Sequence, residues 1–508
     1  MASAAPIRAI VGRFGMDFAR QVMENVLNER PFDFCGIISV GVEPKFFRGM
    51  PADNQEWFAS SMIRGCEYAG VDWQTLAPID EALIMAMREC EATFMEMVSR
   101  LEWKRSISYG VRKRWYLRHL RFWNDYLTRH RIGLYLSAWV PHEIPDIIIY
   151  ALCKLRNIPV VYFGVTSIRD VSFVEHDWEE SAVQVRDRYR ELLLQYGPDH
   201  DPLTIPLEER LDLRYRGLVN PSGEVPTLEE QDLDLSHGAA VKRLLKTDPV
   251  AFLRHGLAYA TPRGAARAYR AWKRNKSMTE ANAFYDTHAS DAPDLRRSYV
   301  YMPLSFQPEA TTVPLAGGYA DQVLMAQMLS ALLPQEVMIY VKEHPRPSSS
   351  EKRTVDFYRD FAAISRVRFI PRSFDTFAMR EHCRAIATTA GTAGFEASFR
   401  GKPVFMFGHC YYQYAPGVHR IHSMDDCRNA VREIFDGGAA PTLLQCRLYL
   451  KAIEETCVHG VLDPWCFNVS HLSADENMKN SSAAIVQELD ALFGSSQKSH
   501  DLANVSSD

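Results

Sequence analysis

The stretch "RAIATTAGTAGFEASFRGKPVFMFG" (Arg384–Gly408) decides the fold. An apolar strand runs into the small residues Thr388, Thr389, Ala390, Gly391, Thr392, Ala393 and Gly394. A helix then carries Phe395, Glu396 and Phe399, and "PVFMFG" restarts the strand signal. Strand, helix and strand in that order build a parallel sheet with covering helices.

The pattern extends in both directions. Upstream, "RSYVYMPLSF" reads as a strand, "ADQVLMAQMLSALLP" as a helix, "VMIYVKE" and "RVRFI" as strands, and a further helix begins near Ser373. Near the start of the chain, "IRAIVG", "ARQVMENVLNE" and "FDFCGIISVG" give strand, helix and strand. "RIGLYLSAWVPHEIPDIIIYALCKLRNIPVVYFG" gives strand, loop, helix and strand. Between His176 and Arg297 long charged helices and polar turns replace this alternation. At 508 residues the chain is long for one core. The expected organisation is α/β throughout: a Rossmann-like domain over 1–175, a helical insertion over 176–297, a second Rossmann-like domain over 298–490 and a disordered tail over 491–508.

Composition narrows the function classes. Hydrophobic residues at 47% and charged residues at 24% indicate a folded chain, and a net charge of −5 supplies no global basic field for nucleic acid. The ten cysteines show no C-x-x-C pair, and no signal-peptide core or membrane-length apolar run is visible. A cytoplasmic protein with reduced thiols is expected.

The small-residue turn lets a ligand approach the backbone, and freed amides at the helix start favour a phosphate. The hydroxyls of Thr388, Thr389 and Thr392 add donors, and Glu396 shares a helix face with Thr392, where it can accept from a ribose hydroxyl. The same residues also suit ordinary loop and cap chemistry. In "YVKEHP", Lys342 and His344 stand at a strand's carboxyl end, where open α/β sheets bind ligands. They offer charge and a donor to a departing phosphate, and Glu343 orients a neighbour or faces the sheet edge. A solvated strand end is the plainer alternative.

Taken together, "PLSFQPEAT", "LPQEVMIYVKEHPR" and "TTAGTAGFEASFRGKPVFMFG" resemble the capsule polysaccharide biosynthesis family, which includes bacterial Kdo transferases of GT-B architecture. The resemblance implies two Rossmann-like domains facing a cleft and a metal-independent sugar transfer with no cofactor. It implies donor contacts from His344 and Pro345, and from Thr389, Gly391, Thr392, Gly394 and Glu396, with Gln307 and Glu309 supporting the donor side. CMP-Kdo is one donor among several nucleotide sugars. The rival activities are polyol-phosphate transfer from a CDP-glycerol-type donor and nucleotide-sugar epimerisation. A non-catalytic glycan-binding scaffold is the rival from outside enzymes.

The acceptor and the general base are then expected from the N-terminal half. "SAWVPHEIPDIIIY" clusters His142, Glu143 and Asp146 between a strand and a helix, although the two acids also suit a helix's first turn. His142 and Glu143 are preferred over Asp146. "GRFG" (Gly12–Gly15) reads as a tight turn before it reads as an acceptor site. The basic, aromatic stretches Lys104–Arg131 and Arg263–Lys276 read first as solvated helix faces over buried aromatics and second as membrane-surface contacts for a lipid-linked acceptor.

Overall fold

The computed structural model describes residues 6–41, 43–102, 106–220, 262–289, 291–306, 310–344 and 353–494. Two six-stranded sheets carry it. The first contains β1 (Arg8–Gly12), β2 (Phe34–Ser39), β3 (Gln55–Ala59), β4 (Leu134–Ser137), β5 (Val160–Val165) and β6 (Ser172–Glu175), in the order β3-β2-β1-β4-β5-β6. Only β6 runs antiparallel, folding back on β5. The second contains β7 (Tyr299–Pro303), β8 (Met338–Lys342), β9 (Val367–Ile370), β10 (Ala385–Thr388), β11 (Val404–Met406) and β12 (Val418–Arg420), all parallel, in the order β12-β11-β10-β7-β8-β9. Each sheet reverses its winding beside its first strand, between β1 and β4 and between β7 and β10. In doubly wound sheets this is where a ligand crevice opens.

The helices that position the site are α1 (Asp17–Glu29), α2 (Tyr109–Arg129), α3 (Ile144–Leu155), α4 (Val183–Gln195), α5 (Glu209–Val219), α6 (Pro262–His288), α7 (Val323–Leu332), α8 (Thr376–His382), α9 (Thr392–Ser398), α10 (Leu443–Thr456), α11 (Pro464–Asn468) and α12 (Ala474–Phe493). Strands buried on both faces explain the near-continuous apolar runs of the sequence. One face of the first sheet buries Tyr116, Trp123 and Tyr126 of α2 with Ile147, Ile148 and Leu152 of α3; the other buries Val22, Met23 and Val26 of α1.

Three expectations are revised. The chain from Val458 onward leaves the second lobe: Ser172 and Val458 exchange backbone hydrogen bonds, and Ile485 and Leu489 of α12 join the core beneath the first sheet. The C-terminal boundary at 490 is therefore crossed, residues 491–493 complete α12 instead of starting a tail, and the tail beyond 494 lies outside the described residues. Nor do α4 and α5 stand apart as an insertion. Val185, Tyr189, Leu211 and Tyr215 share a core with Phe395, Tyr411, Leu448 and Tyr449 of the second lobe. Finally, the two basic stretches differ. α2 buries Tyr116, Phe122, Trp123 and Tyr126 as expected and leaves Tyr109 exposed, whereas Tyr269 and Trp272 of α6 are 62% and 58% exposed and stack on each other at 5.8 Å.

Two buried polar devices hold the first lobe. Arg13, in the left-handed region at φ 74, donates to Asp146 of α3 at 2.6 and 3.0 Å, so the "GRFG" turn ties β1 to α3. Burial holds the Asp146 carboxyl above the usual range although the Arg13 guanidinium opposes this. Glu175 at the end of β6 accepts from Ser181 Oγ and the Ala182 amide, both in the segment between β6 and α4, and a Cβ on Gly164 would lie 2.9 Å from its side chain. Burial pushes its carboxyl up to about 8.

These devices give two expected outcomes. Removing Asp146 leaves a buried guanidinium without its partner, so Asp146→Ala is expected to lose about 3–5 kcal/mol in urea unfolding. By contrast Glu143→Ala, which removes a partly exposed pair with Arg64, is expected to lose about 1 kcal/mol or less. Because folding raises the Glu175 pKa, its contribution is full below the unfolded pKa and is lost as pH rises through about 8. The Tm of Glu175→Gln relative to wild type should therefore climb between pH 5 and pH 9, read by calorimetry; a difference independent of pH would contradict the assignment.

Candidate active site

The carboxyl ends of β7, β8 and β10 enclose a cavity of about 340 Å³. Its walls include Ser305 and Phe306 after β7, Lys342, Glu343 and His344 at the end of β8, Thr388, Gly391 and Thr392 after β10, and Thr376 and Arg380 of α8. Parallel pairing brings Lys342–His344 and the sequence-distant segment Thr388–Glu396 to one pocket.

Lys342 is 4% exposed; its ammonium donates to Thr376 Oγ1 at 2.8 Å. Burial lowers its pKa, and the nearby Asp375 charge works against that. Among the described residues no carboxylate lies within ion-pair distance of it. Glu343 orients its neighbours, as expected: its carboxylate accepts from Arg353, from Tyr358 Oη and from the His344 amide at 2.8 Å, while its own amide donates to Tyr285 Oη at 2.9 Å. Burial pushes the Glu343 carboxyl up, but Arg353 and these hydrogen bonds outweigh it and leave the group below its usual range. The His344 ring stands edge-on to Phe306 at 5.5 Å.

The turn after β10 divides the expected residues. Thr388 Oγ1 accepts from the Gly391 amide at 3.1 Å and faces the cavity with Gly391 and Thr392. The Thr389 hydroxyl instead pairs with Ser305 Oγ at 2.7 Å and lines neither cavity described here, because it staples β10 to β7. Gly394 is also a packing residue: a Cβ there would lie 2.6 Å from Tyr412 Oη. Glu396 lines the cavity, with its carboxylate paired to Arg380 of α8. Arg380 is pulled down to about 10 by burial and then by the like charge of Arg400. α9 spans seven residues, too short for much of a macrodipole, so the positive charge here comes from Lys342 and Arg380. Pro345, Gln307 and Glu309 lie outside the described residues.

A second cavity of about 440 Å³ lies between the lobes and shares Thr311, Ala390, Thr392 and Glu396 with the first. His142 lines it; Glu143 and Asp146 do not. Glu143 pairs with Arg64 at 2.9 Å, and Asp146 is held by Arg13. His142 Nδ1 lies 2.8 Å from the Val140 carbonyl, so it carries the proton, and burial, aided by the Arg100 charge, lowers the ring to about 4. At neutral pH the ring is uncharged with Nε2 as an acceptor.

Sequence reasoning missed much of this cleft. Trp139, Trp178 and Trp465 form aromatic walls; Arg214, His409 and Asp463 add polar groups. His409 donates from Nδ1 to the Glu179 carbonyl at 3.1 Å, and burial, followed by the His422 and Arg420 charges, brings it down to about 4. "DPW" at 463–465 did carry a signal, an Asp N-cap with Pro at the first helical position, and Asp463 accepts from the Trp465 amide at 2.9 Å. Trp139 lies within the "SAWVPHEIPDIIIY" stretch without being singled out there, and Trp178 and Arg214 stand in segments with no motif. Among the described residues no group of three His, Cys, Asp or Glu side chains is placed to hold a metal ion.

Residues 242–440 match the family model described as capsule polysaccharide biosynthesis protein. No curated protein matches the chain. Similar solved structures include the KpsC β-Kdo 2,7 transferase of Thermosulfurimonas dismutans, at 11% identity and a TM-score of 0.28 over 71% of this chain and 88% of that one. The UDP-GlcNAc 2-epimerase of Methanocaldococcus jannaschii has 11% identity and a TM-score of 0.25 over 88% and 98%. Anabaena Alr3699/HepE, solved with UDP and glucose, has 9% identity and a TM-score of 0.25 over 96% and 100%. At such scores these likenesses add nothing to the sheet orders, which by themselves show two doubly wound α/β lobes facing a cleft in the GT-B manner. Residues 242–440, which hold all six strands of the second sheet, are thus the part of the chain that is similar to the capsule polysaccharide biosynthesis family.

Proposed function

We propose that this protein is a glycosyltransferase that moves a sugar from a nucleotide-sugar donor to a growing polysaccharide or glycolipid, without a metal ion. The observation that carries the reading is Lys342, a buried ammonium facing a cavity at the sheet's switch point with a hydroxyl for a partner. Burying a charge in this way is unfavourable unless a counter-charge arrives. A donor phosphate supplies one, with Arg380 and His344 as further donors and the sugar extending past Thr392 and Glu396 into the cleft. There the acceptor oxygen attacks the anomeric carbon and its proton passes to His142 Nε2. The bond from the anomeric carbon to the phosphate oxygen breaks, and the electron pair leaves with the nucleotide, whose charge Lys342 stabilises. Peripheral contact with a membrane belongs to the same proposal, supported by exposed Tyr269 and Trp272 beside Lys273 and Lys276 on α6. No helix among the described residues is long and apolar enough to cross one.

Thermal shift with CMP, UMP, GMP and CDP-glycerol tests the donor site. One nucleotide is expected to raise the Tm of the wild type. Lys342→Met, which replaces a buried charge by an apolar isostere, should keep or raise the unliganded Tm and lose that shift. A shift retained in Lys342→Met removes the phosphate from this site, and a response to CDP-glycerol alone selects polyol-phosphate transfer.

The base has its own signature. Since His142 is neutral above about pH 4, kcat/KM should be level from pH 8 to pH 5 on the acid side and fall as pH drops through about 4. His142→Ala should lower kcat by about 10²-fold or more while nucleotide binding persists. If Glu143→Gln has that effect and His142→Ala does not, the glutamate is the base.

A further inference from the structure

Three of the chain's nine tryptophans line the cleft between the lobes, and none of the three lines the donor pocket. They arrive from separate segments: Trp139 follows β4, Trp178 lies between β6 and α4, and Trp465 belongs to α11. All three are braced from the first lobe. The Ala138 amide donates to the Gly12 carbonyl at 3.1 Å and Ser137 Oγ to the Trp139 carbonyl at 2.7 Å, which fixes the chain where Trp139 leaves the sheet. The Trp178 indole stacks on Tyr150 of α3 at 3.7 Å, and Tyr150 Oη donates to Asp177, the preceding residue, at 2.9 Å. α11 starts on its Asp463 cap, and its Phe467 ring stacks on Phe18 of α1 at 3.9 Å.

A braced indole loses little freedom when a ligand covers it, so the contact goes into affinity. Trp178 is buried, whereas Trp139 and Trp465 are only partly so and keep surface on the cleft wall. What covers such a surface must itself be apolar on one face.

The polar groups of the cleft decide what else that ligand carries. His142 and His409 each commit Nδ1 to a backbone carbonyl, of Val140 at 2.8 Å and of Glu179 at 3.1 Å, and both rings are uncharged at neutral pH. Each therefore offers Nε2 as an acceptor. Asp463 takes the Trp465 and Cys466 amides on Oδ1 alone, at 2.9 and 3.2 Å, which leaves acceptor capacity on Oδ2. The lining holds two carboxylates, Asp463 and Glu396, and one guanidinium, Arg214; Glu396 is already paired with Arg380. Charge in the lining is thus balanced, and an ionic ligand would bring an unmatched one. Donating hydroxyls set around a ring with an apolar C–H face meet both demands. A hydrocarbon tail would leave the acceptors without donors, and an acidic sugar would set a carboxylate beside Asp463.

We propose that Trp465 and Trp139 form the acceptor-sugar subsite of the cleft, in which a neutral pyranose lies with its C–H face on the Trp465 indole and donates hydroxyl hydrogen bonds to Asp463 Oδ2 and His409 Nε2. The assignment rests on the glycosyltransferase reading for this ring's being the acceptor, but its binding chemistry is measured without turnover. Isothermal titration of the full-length protein would use maltotetraose, cellotetraose, N-acetylchitotetraose and mannotetraose as neutral probes and tetragalacturonate as their acidic counterpart. At least one neutral glycan is expected to bind about tenfold or more tighter than tetragalacturonate. Trp465→Ala should weaken that glycan about tenfold or more, and Trp465→Tyr, which keeps an aromatic face, should restore most of the affinity. Asp463→Asn retains an equally good helix cap but puts an amide NH₂ where Oδ2 accepted, so it should weaken the glycan by a similar factor with the Tm preserved. Failure of every neutral glycan to bind, equal or greater affinity for tetragalacturonate, or affinity unchanged in Trp465→Ala or in Asp463→Asn overturns the subsite; a nucleotide that still raises the Tm would then leave the transferase reading standing. Neutral-glycan binding lost in both variants of a protein whose Tm no nucleotide raises would instead overturn the transferase reading and leave the subsite standing.

Discussion

Parallel pairing forces every strand of a sheet to end at the same edge, and the rest of this molecule depends on that constraint. In the second sheet it brings Ser305, Lys342 and Thr388, far apart in sequence, to one edge around the β7–β10 reversal. In the first sheet it sets Arg13 beside the loop that carries His142. A hairpin-built sheet of the same residues would alternate its strand ends and scatter these groups. The chemistry therefore lies at the rim, on loops braced by strands, while the strands themselves are occupied by packing.

How far the site could be read in advance follows from how each residue's role is encoded. Strand and helix order was legible because buried parallel strands are apolar along their whole length and the helices between them are periodic. Lys342 and His344 were legible because polar residues at the end of an apolar run stand out. Thr389 and Gly394 meet Ser305 and Tyr412 and line neither the donor cavity nor the cleft, and a small residue that makes room for a substrate looks the same in sequence as one that makes room for such a neighbour. Glu396 reads in the sequence as an acceptor for a ribose hydroxyl, and only the fold reveals its pairing with Arg380. The return of residues 458–493 to the first lobe was invisible, since α12 is amphipathic whichever sheet it covers.

The buried ionic groups divide by how well they are matched. Asp146 with Arg13, and Glu343 with Arg353 and Tyr358, are closed arrangements in which each charge meets its complement. They fix backbone positions, and Glu343 does so for the amide of His344 itself. Lys342 is an open arrangement, with donor capacity left over at a cavity wall. A closed pair stabilises the empty protein, and an open charge destabilises it until a ligand binds. Mutations at the two kinds of site should therefore move stability in opposite directions, although both remove a buried charge.

Contacts between the lobes connect donor and acceptor sides. Arg100 donates to the His142 carbonyl at 2.6 Å and also to the Val313 carbonyl of the second lobe, so the loop bearing the proposed base is held by the opposite domain. Ser167 Oγ, which lines the cleft, bonds Tyr411 Oη of the second lobe at 2.6 Å. Parting the lobes would break both contacts and release the loop with His142 together with the turn that presents Ser167. On the proposed reading, closure and assembly of the acceptor side would be one event, and a donor seated alone in the second lobe would face no positioned base until that event occurred. Under the proposed transfer, hydrolysis of the donor by water would be suppressed for the same reason that transfer would be enabled: the imidazole would reach its place only with the lobes together around the cleft.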